Sequence, residues 1–267
     1  MDNRSGIGVF DSGVGGLTVA AEIMDQLPKE KIIYFGDTAR VPYGGKSKET
    51  VTRYTEQIIR FLLSKDVKAL VVACNTMSAL ALDTVEKGLS IPIIGVIKPG
   101  AKTAVNTTRN GKIGVIATES TINSGLYPGY IKELDSTVEV VGKACPLLCP
   151  LVEEGMIEDP VTDEMVRRYL AVLKEKEIDT LILGCTHYPL LKNTIGRIIG
   201  DKVNLVNPAY ETANGLKELL LSKGLLNDDN EVKEHEFYVS DSAKKFSAFA
   251  STILHKKNIR AKTVNIE

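Results

Sequence analysis

Two cysteines of this 267-residue chain stand in matching settings, and a pair of thiols so placed can carry a proton on and off one carbon. Cys74 lies in the segment FLLSKDVKALVVACNTMSAL, Phe61 to Leu80, and Cys185 lies at the same place in VLKEKEIDTLILGCTHYPLL, Val172 to Leu191. The segments are related by an ungapped shift of 111 residues, the separation of Cys74 from Cys185. In each, a helix end and a charged turn lead into a short apolar run that reads as a buried parallel strand. A small residue follows (Ala73 or Gly184), then the cysteine, then polar Asn75-Thr76 or Thr186-His187. Ligands of open α/β sheets sit just beyond the carboxyl ends of the strands, so each copy puts a thiol where a ligand would be. Two thiols meeting one substrate from opposite faces are what a two-base proton transfer needs. A free thiol ionises near pH ~8.5, so each needs a neighbour to give a thiolate at neutral pH. Asp11 for Cys74 and His187 for Cys185 are placed at corresponding strand ends.

Other positions carry weaker signals. The loop Asp11-Ser12-Gly13-Val14-Gly15-Gly16 follows a strand and opens a helix, and its glycines let backbone N–H groups approach an anion. Thr18 stands where a dinucleotide fingerprint has its third glycine, and no Gly-Lys-Ser/Thr follows, so neither a nucleotide fingerprint nor a P-loop is present. Tyr43-Gly44-Gly45, after Pro42, is a turn able to present a phenol and backbone amides. Glu153 and Glu154 read equally well as a solvated helix start or as an acid in a cleft. Cys145 and Cys149, with Pro146 between them and no second ligand pair, read as packing residues rather than a zinc framework. His235 and His255 lie in polar contexts and carry no catalytic argument. No cofactor and no metal are expected.

The elements that must position these residues alternate along the chain. Apolar runs at Ile7–Phe10, Lys31–Phe35, Ala69–Ala73, Ile93–Val96, Ile113–Ile116, Val138–Val141, Thr180–Leu183, Val203–Val206 and Phe237–Val239 read as strands between helices, hence a parallel sheet. Glu49 to Leu63 places Val51, Tyr54, Ile58 and Leu62 on one helical face with Ser47 as cap. A second helix is expected after Pro160, with Met165, Tyr169, Val172 and Leu173 as its buried stripe. Ile7-Gly8-Val9-Phe10 is echoed by Ile113-Gly114-Val115-Ile116, which extends the duplication beyond the cysteine segments. The economical reading is two pseudo-symmetric α/β lobes packed around one cleft: residues 1–98 with 208–267, carrying Asp11 and Cys74, and residues 99–207, carrying Cys185 and His187. A net charge of −1 without a basic run argues against nucleic acid and anionic membranes as partners. No apolar run reaches membrane-spanning length and no signal core opens the chain, so a cytoplasmic protein with free thiols is expected.

DSGVGGLTV (Asp11 to Val19), VPYG (Val41 to Gly44), ACNT (Ala73 to Thr76) and GCTHYPLL (Gly184 to Leu191) together resemble the diagnostic segments of the glutamate racemase family, over essentially the whole chain. The resemblance implies two flavodoxin-like lobes, a pyridoxal-independent interconversion of L- and D-glutamate for peptidoglycan synthesis, and a homodimer. It implies Cys74 as the base for D-glutamate and Cys185 for L-glutamate, with Asp11, His187 and Glu153 assisting. It further implies that Asp11, Ser12, Tyr43, Gly44, Asn75, Thr76, Thr186 and His187 hold the substrate's ammonium and carboxylates. Met77 departs from the smaller residue common after CNT, which would narrow the pocket. Only six residues precede the first strand, so the N-terminal extension that some relatives use for activation by a cell-wall precursor is not expected. Competing readings are a racemase of aspartate or hydantoins, a cysteine-nucleophile hydrolase needing one thiol, and a two-lobed binding protein, which would carry an export signal.

Overall fold

Apolar runs bounded by turns become strands, and the amphipathic stretches between them become the helices that cover those strands. The computed structural model describes residues 2–229, 234–256 and 259–266. In chain order the strands are β1 (Gly6–Asp11), β2 (Ile32–Gly36), β3 (Val67–Val72), β4 (Ile93–Gly95), β5 (Lys112–Ala117), β6 (Glu139–Ala144), β7 (Thr180–Gly184), β8 (Asn204–Val206), β9 (Glu236–Val239) and β10 (Ala261–Thr263). Each of the nine apolar runs coincides with a strand. β10 was not anticipated, because this edge strand, Ala-Lys-Thr, is half-exposed to exposed and burial imposes no apolar pattern on it.

The chain divides into two compact units, Met1–Val96 with Ala209–Glu267, and Ile97–Pro208. The first holds a six-stranded sheet in the order β10-β9-β2-β1-β3-β4, the second a four-stranded sheet in the order β6-β5-β7-β8. Every pairing is parallel. The core of the first sheet, β2-β1-β3-β4, and the whole second sheet share one topology, with β1, β2, β3 and β4 answering to β5, β6, β7 and β8. This is the flavodoxin-like order, in which the direction of winding reverses between the first and third strands and opens a crevice at their carboxyl ends.

β1, β2 and β3 are buried along their whole length, as parallel strands covered on both faces must be. Side chains alternate between faces: Ile7, Val9, Ala69 and Val71 pack into one apolar cluster with Leu216, Leu220 and Phe246, whereas Phe10, Leu70 and Val72 pack into the other. The helix Lys48–Leu63 starts where Ser47 accepts the Thr50 N–H and presses Val51, Ile58 and Leu62 into that second cluster. Full burial of such a side chain stabilises the fold by about 1.5–3 kcal/mol. The helix Pro160–Glu175 starts where Asp159 caps the Val161 N–H, but its buried stripe is Thr162, Val166, Leu170 and Leu173. Of the expected stripe only Leu173 is buried. Met165 and Tyr169 are half-exposed and Val172 is exposed, because the helix faces its sheet about one position round from the most apolar arc. Lys68 in β3 and Glu30 form an ion pair with side chains 0% and 1% exposed. Glu30 Oε1 also accepts the Asn227 N–H at 2.8 Å, and Lys68 Nζ donates to the Asn3 carbonyl.

Candidate active site

In the first unit β1 and β3 are neighbours, and the groups at their carboxyl ends meet. Asp11 ends β1, and the turn after it brings the Gly13 N–H to Asp11 Oδ2 at 3.0 Å while the Tyr34 hydroxyl donates to the Gly13 carbonyl at 2.9 Å. Gly16 is required at the head of the following helix. A Cβ there would stand 2.4 Å from Asp11 Cβ and 2.8 Å from the Tyr34 oxygen. Burial first, then the nearby Asp11 and Cys74, push the Tyr34 phenol well above its ordinary range and keep it neutral. Cys74 follows β3 and Ala73, whose N–H donates to the Phe10 carbonyl at 2.9 Å. Its Sγ lies 3.7 Å from Ser12 Oγ, and both side chains are buried. Asn75 and Thr76, in the turn of helix after Cys74, are buried as well, and Met77 is fully buried in the apolar cluster that includes Tyr43 and Cys74.

Tyr43 is buried, beside half-buried Gly44, and its hydroxyl donates to Asp37 Oδ2. The same carboxylate accepts from Arg40 Nε at 2.7 Å and from Ser240 Oγ at 2.8 Å. Burial and the Asp37 charge hold the phenol protonated. With its proton committed to Asp37, the Tyr43 oxygen has only acceptor capacity to offer a ligand, which suits an ammonium group.

In the second unit β5 and β7 are neighbours, with Ala117 paired to Gly184. A Cβ at Gly184 would stand 2.8 Å from the Ile116 carbonyl oxygen, so the strand can approach β5 this closely only with glycine before Cys185. Cys185 Sγ is 3.7 Å from His187 Nδ1, and His187 Nε2 is 3.1 Å from Glu153 Oε1. The carboxylate takes the Nε2–H, which leaves Nδ1 as the lone pair facing the thiol. Cys185 and His187 are buried, and the Glu153 side chain is 28% exposed. Cys185 has its pKa raised well above the usual thiol value, first by its hydrogen bond with Cys149 and then by burial, while His187 pulls the other way. Burial and the Cys149 contact thus favour the protonated thiol, and the imidazole favours the thiolate. Thr186 is buried beside it.

The structure thus lines up Cys185, His187 and Glu153 in one chain of contacts and sets Ser12 against Cys74. Glu153, which sequence left open, touches the imidazole of His187 and not the thiol. Cys145 is fully buried with its pKa pushed up to about 12 by burial, in keeping with packing. Cys149, also read as a packing residue, packs against Cys185. It is half-buried, with Sγ 3.3 Å from Cys185 Sγ. Ligand atoms of Cys149, Cys185 and His187 lie within 4.8 Å of one another, close enough that they could hold a metal ion. The available signal was Cys149 and Glu153 at i and i+4, which share a face of the helix Leu148–Glu153. Asp37 was also missed, although it follows β2 at a strand end beside Asp11, whose carbonyl accepts the Asp37 N–H at 3.1 Å. His235 is half-buried. Its Nδ1 accepts the Ile32 N–H at 3.2 Å, and burial, with Lys256 and Lys31 nearby, lowers its pKa to about 4.

Residues 8–214 match the sequence model of the family described as Asp/Glu/Hydantoin racemase. A glutamate racemase of Geobacter metallireducens is 55% identical over 235 residues, which is 88% of this chain and 87% of that protein. Among solved structures, glutamate racemase isoform RacE1 of Bacillus anthracis superposes with a TM-score of 0.95 at 44% identity, covering 98% of both chains. The glutamate racemase of Francisella tularensis, solved in complex with D-glutamate, superposes with a TM-score of 0.92 at 39% identity, covering 99% of both.

Proposed function

The chain belongs to the Asp/Glu/Hydantoin racemase family, and we propose that it interconverts L- and D-glutamate by passing the α-proton between two thiols. One observation carries the reading: Cys185 sits on a histidine oriented by a carboxylate, and Cys74 occupies the topologically equivalent strand end of the duplicated fold. High identity to proteins named glutamate racemase supports glutamate as the substrate.

With L-glutamate, His187 Nδ1 accepts the Cys185 thiol proton, and the thiolate takes the proton from Cα. Cys74 delivers its own thiol proton to the opposite face of the carbanion, leaving D-glutamate and a Cys74 thiolate. With D-glutamate the roles exchange, and Asp11 assists Cys74 as His187 assists Cys185. No electron sink is used, so the barrier falls through orientation and fixed dipoles around the substrate. Ser12, Gly44, Asn75, Thr76 and Thr186 hold the carboxylates, with Asp11 and His187 contributing, while the Tyr43 oxygen accepts from the ammonium. D-Glutamate for peptidoglycan, a homodimer and a cytoplasmic location belong to the same proposal. No helix among the described residues is long and apolar enough to cross a membrane.

The test is incubation with L-glutamate in deuterated water, following optical rotation and deuterium at Cα. Racemisation with solvent deuterium in the product is expected, and L-aspartate should react far more slowly. Cys74→Ala and Cys185→Ala should each lower the rate by more than about 10³-fold, beyond the ~10²-fold minimum of a positioned base. Near-parental turnover by either variant would end the two-thiol mechanism.

A further inference from the structure

Proton transfer has no use for Cys149, yet its sulfur is 3.3 Å from that of Cys185. With a ring nitrogen of His187 these sulfurs form a cluster whose ligand atoms all lie within 4.8 Å of one another. Two thiols and an imidazole are soft donors. They suit Zn²⁺ and similar thiophilic cations, and disfavour Mg²⁺ and Ca²⁺, which require oxygen. A tetrahedral zinc with Zn–S bonds of about 2.3 Å holds its sulfurs roughly 3.7 Å apart. The observed separation is within about half an ångström of that.

The histidine is also prepared as a ligand. Glu153 Oε1 lies 3.1 Å from Nε2, which turns the Nδ1 lone pair towards the sulfurs, 3.7 Å from Cys185. A carboxylate on the far nitrogen fixes the tautomer and raises the basicity of a zinc-bound histidine. The four groups come from two short pieces of one unit. Cys149 and Glu153 lie on the helix Leu148–Glu153, and Cys185 and His187 on the turn after β7.

We propose that Cys149, Cys185 and His187 bind a thiophilic divalent cation such as Zn²⁺, and that its binding switches the enzyme off. Coordination releases two thiol protons to solvent and leaves both sulfurs as metal-bound thiolates. Cys185 is then a metal-bound thiolate too weakly basic to take a proton from Cα, and the His187 lone pair that would have accepted the thiol proton is committed to the metal. Three protein donors leave a fourth position for water or a substrate carboxylate. Metal binding stands without the racemase reading, whereas inhibition rests on it.

The experiment adds Co²⁺, then Zn²⁺, to the reduced, metal-free full-length protein. One equivalent of Co²⁺ should produce thiolate-to-cobalt charge transfer and the visible bands of a tetrahedral site, and Zn²⁺ should bleach both. Cys149→Val should bind either ion at least about 100-fold more weakly, beyond the 10–100-fold typical of losing an outer-shell partner. Its turnover should survive Zn²⁺ concentrations that silence the parent. Cys74→Ala should bind Co²⁺ as the parent does. Absence of the charge-transfer band in the parent, or equal affinity in Cys149→Val, would overturn the site. Turnover unaffected by zinc bound there would overturn the inhibition. A protein that binds cobalt as described but never racemises glutamate would instead refute the proposed function.

Discussion

Replacing Glu153 tests whether the relay on Cys185 works through the histidine tautomer. The Glu153–His187 contact is a charge-assisted hydrogen bond at 3.1 Å, between a histidine side chain 4% exposed and a carboxylate 28% exposed. Such bonds contribute about 1.5–3 kcal/mol and neutral ones about 0.5–1.5 kcal/mol. Glutamine still accepts the Nε2–H through its amide oxygen, so Glu153→Gln loses about 1–2 kcal/mol, or roughly 5- to 30-fold in rate. Glu153→Ala loses the whole bond, roughly 10- to 150-fold, with the partial exposure of Glu153 favouring the lower part of each range. The assay is initial rate in both directions with Cα-deuterated and protiated glutamate, in light and heavy water. Equal stability of the enantiomers forces kcat/KM to stay equal in the two directions, so any asymmetry lies in kcat and KM separately and in the isotope effects. When L-glutamate is the substrate, the slowed step is abstraction by Cys185, and the substrate isotope effect should grow. When D-glutamate is the substrate, that step becomes reprotonation. The substrate effect should then shrink while the solvent effect grows. Rates within twofold of the parent for both variants, or isotope effects that change alike in both directions, would refute the relay.

Asp37→Asn removes the charge that holds Tyr43 and Arg40. It should raise KM for glutamate more than it lowers kcat, with a stability loss of about 2–4 kcal/mol because Arg40 is 11% exposed and its partner 0%. An unchanged KM would detach Tyr43 from substrate binding. His235 is neutral in the native protein, with its pKa lowered to about 4, and protonates near 6.5 when unfolded. Its contribution is therefore complete above pH about 6.5 and is lost as pH falls towards about 4, on the order of 2 kcal/mol after discounting for partial exposure. His235→Gln should flatten that limb of a urea-unfolding series between pH 7 and 4.5. Lys68→Met strands the Glu30 carboxylate, which is 1% exposed, and should cost about 3–5 kcal/mol in chemical denaturation. The double variant with Glu30→Gln should recover most of that loss if the penalty is the unpaired charge.

The sequence by itself determined the layered parallel architecture and the two strand-end thiols. A parallel strand covered on both faces must be apolar throughout, so Ala69–Ala73 and Thr180–Leu183 announce themselves, and whatever follows such a strand stands at its carboxyl end. The repeat at 111 residues then made one thiol imply the other. The strand Ala261–Thr263 escaped because an exposed edge leaves no apolar signature. The stripe of the helix Pro160–Glu175 was misplaced because composition marks an apolar arc, whereas packing decides which part of it meets the sheet. His187 was legible beside Cys185, but the more distant partners were beyond local reading for the same reason. Glu153 meets His187 across 34 residues, and Cys149 meets Cys185 across 36. His235 meets Ile32 across 203. Sequence shows which groups can donate, accept or ionise, but their protonation depends on burial and on neighbours a few ångströms away. Those neighbours are brought there by the parallel pairing of β5 with β6 and β7 and of β2 with β9, and by the packing of the helices between them.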